Sequence, residues 1–176
     1  MYIPSPEECI NLLKKTGCSE EVIKHSLLVR DIAVEIAKRA NANVKLVEAG
    51  ALLHDIGRSK THGIMHGVEG AKIAKRLGLP KEIVDIIEHH LGAGISLEEA
   101  KKLGLPPKDY TPKTLEEKIV AHADNLTEGS MKQTIKEAIE KEIKRGRVEL
   151  AKKMLKLHEE LSGYCGTDID NIELKQ

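Results

Sequence analysis

Residues 44–57 read VKLVEAGALLHDIG, and this stretch decides the fold. It is apolar on nearly every side of a helical wheel, as only a helix surrounded by others can be, and it ends on an imidazole beside a carboxylate just before a glycine. A helix over about 44–56 would carry His54 and Asp55 into the interior, where an unpaired carboxylate is strongly disfavoured. A divalent cation would offset that cost and use both groups as ligands. Imidazole plus carboxylate suits Fe, Mn, Zn, Co or Ni better than Mg or Ca alone.

On either side of this stretch the sequence is helical in period, with capping signals between segments. Ser5-Pro6-Glu7-Glu8 opens a short first helix that Gly17 closes, and Ser19-Glu20-Glu21 opens a second that runs to about residue 40. After the polar turn Arg58-Ser59-Lys60-Thr61-His62-Gly63, a fourth helix is expected over about 66–77, and a fifth from Pro80 to Gly92. Ser96-Leu97-Glu98-Glu99 and Thr114-Leu115-Glu116-Glu117 are capping boxes on either side of a Pro-rich break at 104–112. Strongly charged helix is expected over about 131–161, interrupted at Gly146, with a loosely held tail beyond it. No alternating Val/Thr/Tyr-rich run and no Asn-Gly hairpin turn is present. The expectation is a single all-α domain over 1–176: a core at about 20–130, a helical extension at about 131–163 and a tail at 164–176.

The chain has 176 residues, with 28 Lys+Arg balancing 28 Asp+Glu, so its overall field attracts neither nucleic acid nor membrane. With no Trp, no Phe and three Tyr, it lacks the stacking platforms that single-stranded nucleic acids use. The expected partner is a small molecule, with no nucleic acid and no membrane; a homo-oligomer is compatible with the sequence. Cys9, Cys18 and Cys165 are odd in number and widely spaced, which argues against a thiolate zinc site and for a reducing compartment. No basic segment followed by an apolar stretch opens the chain, and the expected location is cytoplasmic.

Helical geometry sorts the eight histidines. His25 shares an apolar stripe with Val29, Ile32 and Ile36. His66 lies with Gly70, Ala71, Ile73 and Leu77, opposite Glu69, Lys72 and Arg76. His90 shares the face of Ile83, Ile86 and Ile87, whereas His89 lies toward Glu82 and Asp85 and is the fallback. Asp124, one turn after Val120, borders its helix's apolar face. His62 and His158 lie in polar surroundings and read as incidental.

His25, the doublet His54-Asp55 and the distant Asp124 stand in an order that resembles the HD-domain metal-dependent phosphohydrolases, and His54-Asp55-Ile56-Gly57 is similar to the HDIG subtype of that family. The resemblance covers about residues 20–130 and implies an HD-like helical bundle. It further implies that His25, His54, Asp55 and Asp124 bind one metal. His66 and His90 fall where the binuclear branch has two further histidines, which implies a second metal bridged by Asp55. The implied activity is hydrolysis of a nucleotide or related small phosphate ester by metal-activated water, with Fe, Mn, Ni, Co, Zn or Mg as one or two ions. Asp55 is then catalytic, and Arg58 and Lys60 are expected to offer cations to the phosphate from the loop at the site's mouth. His122 is expected to orient ligands from behind. The glycine-tyrosine-proline motif of the cyclic di-GMP enzymes is absent after His90, where the chain reads Leu91-Gly92-Ala93-Gly94. Rival readings are an HD-fold di-iron oxygenase, a non-catalytic metal- or nucleotide-binding regulatory module, and a metal-free helical bundle.

Overall fold

The computed structural model describes residues 1–174. Nine α-helices follow in order among them: α1 (Pro6–Thr16), α2 (Glu20–Arg39), α3 (Val44–Leu53), α4 (His66–Arg76), α5 (Lys81–Glu88), α6 (Leu97–Leu103), α7 (Leu115–Asn125), α8 (Ile135–Lys144) and α9 (Val148–Cys165). None of these is long and apolar enough to cross a membrane.

Helix α3 is the hub, packed against α1, α2, α5 and α7. Leu46, Val47, Ala49, Ala51, Leu52 and Leu53 are all buried, so its apolar circumference is used on every side. Gly50 lets α5 come close, since a Cβ there would stand 2.7 Å from the Ile86 side chain. Capping boxes at Ser5, Ser96, Thr114 and Thr134 fix the starts of α1, α6, α7 and α8. A smaller apolar cluster of Val68, Leu91, Ile95, Ala100, Leu105 and Tyr110 braces the loops around α6.

Three local differences from the sequence expectation have identifiable causes. Helix α3 stops at Leu53, two residues before Asp55, and the chain continues through a 3-10 turn, Ile56–Ser59. Gly57 in that turn lies directly on the backbone of α4, where a Cβ would meet the His66 carbonyl oxygen at 1.8 Å and the Gly70 nitrogen at 2.6 Å. The glycine is thus required by a backbone-to-backbone approach that periodicity does not reveal. Helix α5 likewise ends at Glu88, leaving His89 and His90 in the turn that follows. Between α7 and α8 the chain forms a two-residue ladder, β1 (Thr127–Glu128) with β2 (Met131–Lys132), around Gly129 at φ 63°. This hairpin turns on Gly129-Ser130, a pair that carries none of the Asn-Gly hairpin signal.

The end of the chain is also better anchored than the loose tail expected from it. Helix α9 runs to Cys165, and Ile169 and Ile172 are buried in the main core. Residues 175 and 176 of that expected tail lie outside the described residues.

Gly57→Ala should destabilise the protein by about 3 kcal/mol or more, because neither backbone can yield without moving a whole helix. Gly163→Ala, inside α9 with nothing within 4 Å of the added Cβ, should instead stabilise it by about 0.5–1 kcal/mol. Urea denaturation of the two variants checks both the magnitude and the opposite sign.

Candidate metal centre

Four histidines and two aspartates from separate elements meet where α2, the α3 turn, the start of α4, the end of α5 and α7 converge. Asp55 is 2% exposed and sits at the middle. Its Oδ2 lies 3.4 Å from His25 Nε2 and 3.5 Å from His54 Nε2. Its Oδ1 lies 3.4 Å from His66 Nε2 and 3.2 Å from His90 Nε2. Asp124 Oδ1 approaches His25 Nε2 at 2.9 Å and His54 Nε2 at 3.5 Å. One carboxylate therefore faces two donor groups, one with each oxygen.

The imidazoles are all held the same way. Nδ1 of His25 meets the Gly129 carbonyl at 2.7 Å, that of His54 the Ala51 carbonyl at 2.6 Å, that of His66 the Gly63 carbonyl at 2.8 Å, and that of His90 the Ile87 carbonyl at 2.7 Å. A carbonyl oxygen only accepts, so each Nδ1 must carry the proton, and in the neutral ring each Nε2 presents a bare lone pair to the cluster. The lone pairs of His66 and His90 then face each other with the Nε2 atoms 3.0 Å apart. His54 Nε2 and Asp55 Oδ1 are buried with no hydrogen-bond partner. Converging lone pairs and orphaned buried acceptors repel unless a proton or a cation lies between them, so the donor set fits one or two divalent metals.

Without metal, protons must fill that role, and the titration behaviour follows. Burial opposes a charge on His54, but Asp55 and Asp124 outweigh it and push its pKa up to about 9. Burial also opposes charge on Asp55, yet His54, His66 and His90 hold its carboxyl well below the usual carboxylate range. His90, also buried, is pushed down by burial.

Of the residues singled out in the sequence, His25, His54, Asp55, His66, His90 and Asp124 are brought together. Arg58 joins them: its Nε is 3.0 Å from Asp55 Oδ2, and its Nη1 donates to the His62 carbonyl. Lys60 does not. It is exposed on another side, beside Thr16, Ser59 and Arg76, because the 3-10 turn rotates it away from the cluster. His89 also points elsewhere, to a buried ion pair with Glu117.

His122, expected behind the ligands, turns instead to α9: its Nε2 bonds His158 Nδ1 at 2.8 Å, and His158 Nε2 bonds Asp168 at 2.8 Å. His158 is therefore a buried structural residue and not incidental, and its spacing from Ala151, Met154 and Leu161 on α9's buried face was the signal for it. Sequence reasoning also missed Gly129, whose carbonyl orients His25, and the cavity residues Asn125, Gln133, Lys141, Arg145 and Arg147.

The protein-family model described as HD domain matches residues 22–129. An uncharacterized protein of Methanocaldococcus jannaschii is 53% identical over 79% of this chain and 85% of its own length. A Thermoplasma volcanium protein described as tRNA (cytidine(56)-2'-O)-methyltransferase is 48% identical over 97% of this chain, which spans only 50% of that relative's length. Among solved structures, the HD domain of the L. monocytogenes phosphodiesterase PgpH shares the fold, with a TM-score of 0.56 over 88% of this chain and 97% of that one, at 21% identity.

His54 holds its proton more tightly in the folded protein than its ordinary pKa of 6.5 allows, so this group's contribution to stability is full below about pH 6.5 and is lost as pH rises through about 9. Metal-free protein should lose stability across that window. A divalent ion needs the neutral ring, so its affinity should climb across the same window. Calorimetric titration of Mn into chelator-treated protein, in two buffers of different ionisation enthalpy, should record proton release at pH 7. Affinity independent of pH would exclude His54 as a ligand.

Proposed function

The chain belongs to the HD-domain family, and from that membership we propose that it is a divalent-metal-dependent phosphohydrolase acting on a nucleotide or a related small phosphate ester. The observation that carries this reading is the pair of imidazole lone pairs at 3.0 Å, His66 against His90, beside a buried carboxylate oxygen with no partner. Such an arrangement is costly in a metal-free structural bundle.

In this reading His25, His54, Asp55 and Asp124 hold one ion, and Asp55, His66 and His90 a second. Bound there, divalent ions would neutralise phosphate oxygens and lower the pKa of water enough to supply hydroxide near neutral pH. The chain's own residues do the positioning. The four carbonyl-bound Nδ1 protons lock each ring with Nε2 inward, so the donors need no rearrangement. Arg58 steadies Asp55 through Nε and lines the cavity above it, so its remaining N–H groups can meet a phosphate oxygen.

Two adjoining cavities support a nucleotide rather than a bare phosphate. One, of about 390 Å³, lies over the cluster. The other, of about 630 Å³, shares His66, Leu91, Gly92, Arg147 and Leu150 with it; Ile64, Ile95, Leu103 and Val148 give it apolar wall, and His62, Glu99, Glu149 and Lys153 add polar groups. Its aliphatic walls can take a nucleoside by burial rather than stacking, so the phosphate is recognised more strictly than the base. The relative described as a tRNA methyltransferase makes an RNA end the next substrate to assay, against the expectation of no nucleic-acid partner.

Elemental analysis of the purified protein, joined to phosphate release from AMP, ADP and short oligonucleotides with Mn, Co, Ni, Fe or Mg, tests the proposal. His54→Ala and Asp55→Ala should each lower kcat by at least about 100-fold while circular dichroism stays helical. Full turnover in either variant overturns the mechanism. Oxygen uptake with no phosphate released would move the assignment to a di-iron oxygenase.

A further inference from the structure

The cavity over the cluster has a second charged wall that the reading above does not use. Its near side holds His25, His66, His90 and Asp124; its far side holds Lys141 and Arg145 of α8 and Arg147 at the start of α9, all beyond the segment that the family model matches. Ala138, Lys141, Glu142 and Arg145 succeed one another at helical spacing and all line the cavity, so α8 turns a charged stripe inward, above the buried Ala138.

This wall is organised. Lys141 Nζ donates to Gln133 Oε1 at 2.8 Å, and the amide of the buried Gln133 donates to the Asn125 carbonyl at 3.0 Å and the Thr127 carbonyl at 3.1 Å. The ammonium is thereby tied to the segment directly after Asp124. Glu142 gathers the two guanidiniums, 3.0 Å from Arg145 and 3.4 Å from Arg147. Glu128 stands 3.7 Å from both Lys141 and Arg145, too far for strong pairing, so the three cations have one close carboxylate among them, Glu142, and each guanidinium keeps further N–H groups. Three cations against the two carboxylates Glu128 and Glu142 leave this wall with a net positive charge, which is suited to anionic oxygens.

We propose that Lys141, Arg145 and Arg147 bind a second phosphate of the substrate, distinct from the one attacked at the cluster. The inference rests on the phosphohydrolase reading and narrows it to esters carrying a further phosphate next to the scissile one, as in a nucleoside diphosphate or a short oligonucleotide. The attacked phosphate is served by Arg58 and the cluster, and the far wall is placed to select for its neighbour.

The test compares wild type, the double variant Lys141→Ala/Arg145→Ala, and Lys75→Ala, a control on the exposed end of α4. In the double variant the ratio of kcat/KM for ADP to that for p-nitrophenyl phosphate should fall at least about tenfold, mainly through KM. Its Kd for inorganic pyrophosphate should rise by a similar factor, and by more than its Kd for inorganic phosphate. Lys75→Ala should change neither. The dinucleotide pApA, assayed in parallel with ADP, separates the two sources of the second phosphate: the larger loss marks the natural class. Normal metal content and turnover with an unchanged selectivity ratio would overturn this inference while leaving the phosphohydrolase standing. Absence of turnover on every ester would instead sink the earlier reading, and pyrophosphate affinity alone would then decide whether the wall binds paired phosphates: weakened in the double variant, the wall stands; unchanged, it falls.

Discussion

Asp55 is the constraint around which this protein is arranged. A carboxylate at 2% exposure is tolerable only where positive charge meets it, and here four imidazoles converge on it from four different segments. The close approaches of the fold serve that convergence. Gly57 lets the turn after Asp55 lie on the backbone of α4, which brings His66 alongside, and Gly50 lets α5 settle on α3, which brings His90 over. Both glycines are positions where a methyl group would push a ligand-bearing helix away.

Much of this arrangement was legible in the sequence because burial and helical period report on the same thing. The inward faces of His25, His66 and Asp124 follow from spacing, as does the choice of His90 over His89, although both of the latter sit in a turn rather than on a helix, while the grouping of His25, His54-Asp55 and Asp124 into one set is what the family resemblance implies. Lys60 misled because a four-residue 3-10 turn does not keep the α-helical or extended direction of its side chains. The role of Gly57 and the link from Gly129 to His25 depend on segments distant in sequence lying backbone to side chain, and no local pattern encodes such a meeting. His158 was misjudged by weighing its charged neighbours over its place on α9's buried face.

The unloaded cluster behaves as a proton store, and this explains how it can fold before it is loaded. His25 and His54 are both favoured in their protonated forms by the adjoining aspartates, against the opposing effect of burial. A proton on either ring can thus lie between its Nε2 and the carboxylate oxygens of Asp55 and Asp124, where a divalent ion would distribute the charge better. The rings need not turn when the exchange occurs, since every Nδ1 is already committed to a backbone carbonyl. Preorganisation of this kind moves the cost of assembling the ligands from the binding step to the folding step.

On the proposed function, chemistry and selectivity would be carried by different parts of the chain. The donor cluster lies within residues 22–129, where the family match falls, whereas Lys141, Arg145 and Arg147 come from the helices that follow. A polar network through Gln133 fastens that extension to the backbone just beyond Asp124, so the distance between the two charged walls is set by hydrogen bonds rather than by side-chain reach. Long cationic side chains on a free surface lose much of their binding energy to rotamer entropy. Held in place by Gln133 and Glu142, they would lose less, and the proposed subsite would gain a fixed spacing between the attacked phosphate and its neighbour. A fixed spacing would discriminate between ligands by length as well as by charge, so specificity on this proposal would rest with helices outside the family match.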